Sequence, residues 1–272
     1  MQDFSLSPKE MVSSFWRNNR LILSLVKRDV IGRYRGSVMG ILWSLFNPVF
    51  MLLVYTFVFS VVFNARWGGG SGSKVEFALV LFAGIIVFNI FSECISRAPG
   101  LIIANANYVK KVVFPLEVLP WVVAGAAMFH ALISLAVWLF AYVIFFGLPN
   151  PTIIFLPFVL VPLVFFIMGV SWAFASLGVY LRDIAQFVGV LTTMLLFLSP
   201  IFYPADALPE NYRYLLFFNP LTPAIEQARD YMFWGVAPNW RLVLGYTVGA
   251  LAIAWLGFAW FQKTRKGFAD VL

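Results

Sequence analysis

Leu119–Phe146 reads LPWVVAGAAMFHALISLAVWLFAYVIFF, an apolar run without one Asp, Glu, Lys or Arg. A helix needs roughly 20 mainly apolar residues to cross a hydrocarbon core of about 30 Å, and this run exceeds that length. Working outward, five further stretches qualify as candidates: Ile41–Phe63, Phe77–Phe91, Ile153–Val179, Ile184–Ile201 and Trp240–Phe261. Phe77–Phe91 and Ile184–Ile201 are the short ones; the former can extend to Ile95, and the latter runs into a proline-rich region. The composition agrees: of 272 residues, 62% are hydrophobic and 11% charged, against about 25% charged in soluble domains. A core of this size cannot hide so much apolar surface, so lipid must be the solvent for much of it. The expected fold is an all-α integral membrane protein of six transmembrane helices, one domain over residues 1–272, with the spans inside 41–261 and a tail at 262–272.

The net charge is +7. Because the cations fall between apolar runs, they speak for membrane orientation and anionic lipid, with no nucleic-acid partner. With the first segment inside, the inner loops hold Lys9, Arg17, Arg20, Lys27, Arg28, Arg33, Arg35, Arg97, Lys110, Lys111, Arg182, Lys263, Arg265 and Lys266. The outer loops hold Arg66, Lys74, Arg213, Arg229 and Arg241. This asymmetry predicts both ends on the cytoplasmic side. No cleavable leader is expected, since Arg17, Arg20, Lys27 and Arg28 interrupt the first apolar stretch. The lone Cys94 allows no internal disulfide.

Residues 13–31 predict a helix lying on the inner membrane surface. Phe15, Ile22, Val26 and Val30 share one face, and Arg17, Arg20, Ser24, Lys27 and Arg28 the other, with Asp29 intruding among the apolar groups. Residues 204–235 are too polar to span and too apolar for a plain loop. Pro209 can start a short helix to Phe218, Asn219-Pro220 stops it, Thr222 reads as an N-cap before Pro223, and Gly235 ends the second helix. Neither helix is long enough to cross, so a re-entrant hairpin on the outer side is expected before the last span. Gly36/Gly40 and Gly245/Gly249 have the small-xxx-small spacing that lets helices approach closely, here within one subunit.

The chemistry is sparse. Trp67–Lys74 loosely resembles a phosphate loop, but Ser73 and Val75 stand where Gly and Ser/Thr are required. The chain is therefore expected to bind no cofactor or metal of its own, and to be no enzyme. His130, the only histidine, reads as a polar contact between helices. Glu93, Glu117, Arg182 and Asp183 fall near span ends, leaving the spans without the charges that ion-coupled carriers use. Aromatic residues make up 18% of the chain. Trp43, Phe46, Tyr55, Phe59, Phe88, Phe197 and Tyr203 are candidates to line a conduit for sugar rings; lipid contact and core packing fit each of them as well. The inner loop 92–118 has room for a short helix between Pro99-Gly100 and Pro115, and both a docking loop and a solvated one fit it.

Leu25–Phe59, LVKRDVIGRYRGSVMGILWSLFNPVFMLLVYTFVF, carries Arg28-Asp29, Arg33-Tyr34-Arg35, Leu42-Trp43 and Tyr55-Thr56. Together with Lys110–Pro115 (KKVVFP), Arg182-Asp183, Ser199–Pro204 (SPIFYP) and Asn219-Pro220, it resembles the permease subunits of ABC-type polysaccharide exporters, which export O-antigen, teichoic acid or capsule chains. The resemblance runs from about residue 20 onward. It implies a homodimer around a central conduit in the bacterial inner membrane, moving lipid-linked polysaccharide. It also implies two copies of a separate cytoplasmic ATPase subunit, which would bind ATP and Mg. The segment holding Asn105, Asn107, Tyr108, Lys110 and Lys111 would couple to that ATPase. The interfacial helix, with Arg28, Arg33 and Arg35, would lie at the cytoplasmic entrance. The rival readings are an ABC permease for a drug or lipid, a membrane-embedded glycosyltransferase, and a passive channel.

Overall fold

The computed structural model of the chain describes residues 5–62, 67, 73–110 and 114–272. Phe63, Arg66, the glycine run 68–70 and Lys111 lie outside the described residues. Among the described residues every regular element is helical. Helices α1 (Pro8–Arg17) and α2 (Asn19–Arg33) precede α3 (Trp43–Tyr55), which continues as a π-helical stretch over Thr56–Val62. Helix α4 (Lys74–Arg97) leads through 3₁₀ turns to the short α5 (Ala106–Lys110). Long helices α6 (Leu119–Phe146) and α7 (Pro157–Tyr180) follow, then α8 (Ile184–Leu198). The pair α9 (Glu210–Phe218) and α10 (Thr222–Arg229) comes before α11 (Trp240–Thr264) and α12 (Phe268–Val271).

Among the described residues, five helical stretches are long and apolar enough to cross a membrane. The sixth expected span, α8, has 15 residues and rises only about 22 Å. The expected second span is longer than its apolar run, because Lys74 and Arg97 close its two ends. Helix α4 is the centre of the bundle: 83% of its most apolar stretch is buried, against 11% for the stretch containing α3. Its sequence is apolar all round, as a helix with neighbours on every side must be.

Helices α7 and α11 meet in backbone contact. A Cβ on Gly257 would lie 2.0 Å from the Gly169 carbonyl oxygen, and one on Gly169 would lie 2.3 Å from that of Ile253. Gly178 is pressed in the same way against Pro99, 2.0 Å from its carbonyl oxygen. In lipid, where apolar side chains gain nothing by leaving their solvent, such close approach supplies the packing force. The expected pair Gly245/Gly249 does not do this: a Cβ at either position would meet open space. Gly36 and Gly40 serve differently too, with φ of +86° and +53° at the corner between α2 and α3.

The surface helix departs from the expected 13–31. It begins at Pro8, with the Ser7 hydroxyl accepting from the Glu10 amide at 3.1 Å, and breaks at Asn18, whose side-chain amide donates to the Ser14 carbonyl at 2.8 Å. Side-chain competition for backbone groups is the usual reason Asn ends a helix.

The α9–α10 pair is fastened from below. The stop at Asn219-Pro220 works through a buried side chain, which donates to Ser199 Oγ at 2.9 Å and accepts from the Leu221 amide at 3.0 Å. Leu221, not Thr222, holds the N-cap position of α10, and the buried Thr222 hydroxyl has no hydrogen-bond partner among the described residues. A π-helical turn, Asp230–Trp234, closes on Gly235 at φ +70°. Carbonyls of that turn are taken up by Thr152 (to Tyr231, 2.8 Å) and Asn150 (to Phe233, 2.8 Å). Arg229, expected in an outer loop, is only 3% exposed. Its guanidinium donates to the carbonyls of Val80 (3.0 Å), Ile201 (2.7 Å) and Pro200, and lies 4.4 Å from the Trp67 ring centroid. Gly84 makes room for it, since a Cβ there would fall 2.8 Å from Nη2.

Arg229 thus joins α4, the end of α8 and α10. Arg229→Lys keeps the charge but cannot fork to three carbonyls. Leaving buried acceptors unpaired costs about 1–3 kcal/mol each. Arg229→Lys is therefore expected to lower the thermal unfolding midpoint in detergent and to expose the 204–235 segment to protease, while Arg241→Lys, on an exposed position, leaves both unchanged.

Candidate functional site

Two clusters of charge are built where the α1–α2 segment meets the bundle. In the first, α2 lies along α6 and reaches α4 through its charged side chains. Asp29, the residue that spoils the apolar face of α2, receives a bidentate pair from Arg97 at 2.7 and 2.9 Å. One turn on, Arg33 pairs with Glu93, which also lies 3.0 Å from His130 Nδ1. His130 Nε2 is 3.2 Å from the Tyr34 hydroxyl. Nδ1 also lies 3.2 Å from Arg33 Nη1, so both ring nitrogens are taken up within the cluster. The lone histidine is a polar contact between helices, as expected, and Arg33 and Glu93 neutralise each other. Gly125 opens a slot for α2: a Cβ there would lie 2.6 Å from a Val26 methyl.

In the second cluster, Glu117 is buried at the start of α6. It accepts from Arg265 at 2.6 Å and from Ser14 at 3.0 Å, while its carbonyl accepts from Trp172 Nε1 at 3.0 Å. Arg265 also donates to the Phe114 carbonyl at 3.0 Å. One residue thereby holds α1, α6, α7 and the end of α11 together, through its carboxylate to Ser14 and Arg265 and its carbonyl to Trp172. Outside the bundle, Glu10 on α1 is drawn below the ordinary carboxylate range by its hydrogen bond from Arg17 at 2.6 Å.

The segment 105–110 lies at the same end. Asn105 turns its side-chain amide onto the Leu101 carbonyl at 2.9 Å. Asn107 and Lys110 are exposed. Tyr108 stacks on Phe114 with centroids 4.3 Å apart, and its hydroxyl accepts from Arg28 at 3.2 Å. That bond links α5 to α2. Arg35, on the turn after α2, is exposed.

The aromatic candidates divide. Tyr55, Phe59, Phe202 and Phe197 form a chain of rings at the opposite end: Tyr55 and Phe59 are 6.5 Å apart, Phe59 and Phe202 5.3 Å, and Phe202 and Phe197 5.8 Å. Tyr203 caps the end of α8, donating to the Leu198 carbonyl at 3.1 Å. Trp43 is exposed near the start of α3, and Phe46 stacks on Phe50 at 6.0 Å. Phe88 is buried in the core beside Phe91, at 6.3 Å.

A cavity of about 330 Å³ opens between α3, α4 and α6, next to the Arg33–Glu93–His130 cluster. Sequence reasoning missed it. The available signal was Asn47 and Asn89, two amides inside apolar runs.

The family description "ABC-2 type transporter" matches residues 20–233. The chain belongs to the ABC-2 type transporter family. It is 28% identical to an O-antigen export system permease protein, RfbA, of Klebsiella pneumoniae, over 93% of this chain and 95% of that one. An RfbA of Myxococcus xanthus is 25% identical over 96% and 98% of the two chains. The polysialic acid transport protein KpsM of Escherichia coli is 26% identical over 89% and 92%. The matched region takes in both charge clusters except Ser14 and Arg265, as well as α5 and the α9–α10 pair.

Asp29→Ala should free the last turns of α2 and leave Arg97 without its bidentate partner. For a half-exposed pair the expected loss of stability is about 1 kcal/mol, read as a lower unfolding midpoint. The exchange Asp29→Arg with Arg97→Asp should restore it; a swap no better than the single change would remove this pair from the account.

Proposed function

We propose that the chain is the membrane-spanning subunit of an ATP-driven exporter that moves lipid-linked polysaccharide of the O-antigen kind across the bacterial inner membrane. The observation that carries this reading is the end-to-end similarity to polysaccharide export permeases from three genera. Both ends lie in the cytoplasm, in keeping with the Lys and Arg asymmetry. The sixth crossing is made by α8 with the turn that follows it, and residues 204–235 form a re-entrant hairpin at the outer side. The backbone carbonyls that Arg229 satisfies support that placement, because irregular backbone at membrane depth must be covered by protein.

The exporter is a dimer of this chain with two copies of an ATPase subunit that supplies the ATP and Mg chemistry. Exposed apolar faces on α3 (Phe50, Leu53, Val54) and α8 (Phe187, Val190, Met194) suit a second copy as well as lipid. Asn105, Asn107, Tyr108, Lys110 and Lys111 couple to the ATPase, and the Tyr108–Arg28 bond supports a route from there to α2. Arg28, Arg33 and Arg35 mark the cytoplasmic entrance. Of the conduit aromatics, Tyr55, Phe59, Phe197 and Tyr203 gather near the outer exit and Trp43 and Phe46 near the entrance, while Phe88 backs them from the core.

The test has two arms. Affinity purification in mild detergent should bring down a subunit with a phosphate loop in equal amount. Replacing residues 105–111 by Gly/Ser should abolish surface glycan while the chain stays inserted. Glycan export unchanged in that variant would sink the coupling assignment, and an intact oligomer without an ATPase would sink the exporter.

A further inference from the structure

Along the buried stretch of α4 from Phe77 to Phe91, one position is exposed, and it is Asn89. It opens into the cavity of about 330 Å³ between α3, α4 and α6, where Asn47 of α3 and Ser92 also face. Two other hydroxyls of the lining are spent on their own helices: Ser44 donates to the Ile41 carbonyl at 2.6 Å and Ser134 to the His130 carbonyl at 3.0 Å. The side chains of Asn47, Asn89 and Ser92 have no hydrogen-bond partner among the described residues.

Unpartnered amides are costly in hydrocarbon, so the cavity holds something polar. Its volume has room for about ten waters at about 30 Å³ each, and falls in the range of small-ligand sites, about 300–1,000 Å³. The ligand is not an anion. The only guanidinium in the lining, Arg33, is paired with Glu93, and His130 lies between Glu93 and Tyr34. What remains on offer is neutral and two-sided. Each carboxamide presents two donors and an acceptor, and Ser92 adds a hydroxyl. Vicinal hydroxyls of a sugar, each both donor and acceptor, match that set. The apolar walls from Phe82, Ile86 and Ile90 face the rest of the ring.

We propose that this cavity is a hydrated subsite for a neutral, hydroxyl-rich sugar ring, held by the Asn47 and Asn89 amides and the Ser92 hydroxyl. The inference rests on the export reading above and assigns to that path residues outside the aromatic set.

The experiment uses the intact exporter in native membranes. The wild-type chain, whose lone Cys94 is buried, is the blank for a membrane-impermeant thiol reagent. Asn47→Cys and Asn89→Cys should be labelled, and Ile85→Cys, buried on the same helix and outside the cavity lining, should not. The neutral oligosaccharide released by mild acid from the cells' own surface glycan should slow labelling at both positions about tenfold, the effect of one or two net hydrogen bonds. Inorganic phosphate should not slow it. Asn47→Leu with Asn89→Leu, which removes both amides while suiting the bilayer, should reduce surface glycan about tenfold or more at equal amounts of inserted chain.

Labelling without protection, together with full export by the double leucine variant, would show a cavity holding water alone and overturn the proposal. Protection by phosphate alone would overturn it in favour of an anion site, and no labelling at either position would show the cavity to be closed. Failure of the export reading shows separately: a strain lacking the chain would still display its glycan.

Discussion

A carboxylate in hydrocarbon has to be neutralised by its neighbours, because no solvent is there to do it. Glu93 meets this demand with Arg33 from α2 and His130 from α6, and Glu117 meets it with Arg265 from the end of α11 and Ser14 from α1. Each acid therefore dictates which segments must be adjacent. The α1–α2 segment, which has too little apolar surface to insert by itself, is bound to the bundle at the points where these acids need a partner. Arg229 applies the same rule at the other end, with carbonyls in place of a carboxylate.

Between those polar clamps the bundle is held by shape. Gly169 and Gly257 bring α7 and α11 into backbone contact, and Gly178 lets the turn at Pro99 press against α7. These contacts place the end of α4, and with it Arg97 and Glu93, at a fixed distance from the end of α7. The close packing and the ion pairs are therefore interdependent: a bulkier residue at Gly178 would displace the 3₁₀ turn next to Arg97 and so shift the partner of Asp29.

The long spans were legible because lipid demands length and apolarity, and α6 has the bounds its apolar run gives. The short helix pair was legible from its prolines and Asn219. What stayed hidden was whatever depends on a distant partner. Asp29 looked like a flaw in an amphipathic face because its reason, Arg97, lies on another helix. The Gly245/Gly249 spacing looked like a packing stripe, yet the glycines that touch, Gly169 and Gly257, belong to different helices and share no pattern in sequence. Arg229 read as a loop cation because its ligands are main-chain carbonyls, which no side-chain motif announces. The residues proposed for coupling and for the entrance came from family likeness and not from local chemistry. Asn47 and Asn89 were visible as polar letters in apolar runs, but only their shared opening gives them a meaning.

The ion pairs of α2 also bear on how the chain is made. Asp29 waits for a partner 68 residues later, and Tyr34 for a histidine 96 residues later. At about 5–20 residues per second of synthesis, α2 is on the ribosome's exit side for several seconds before either exists. During that interval these groups lack those partners, so the helix can take its final seat against the bundle only after the third span has been made. Its final seat is a late step of biogenesis, written into the order of the residues.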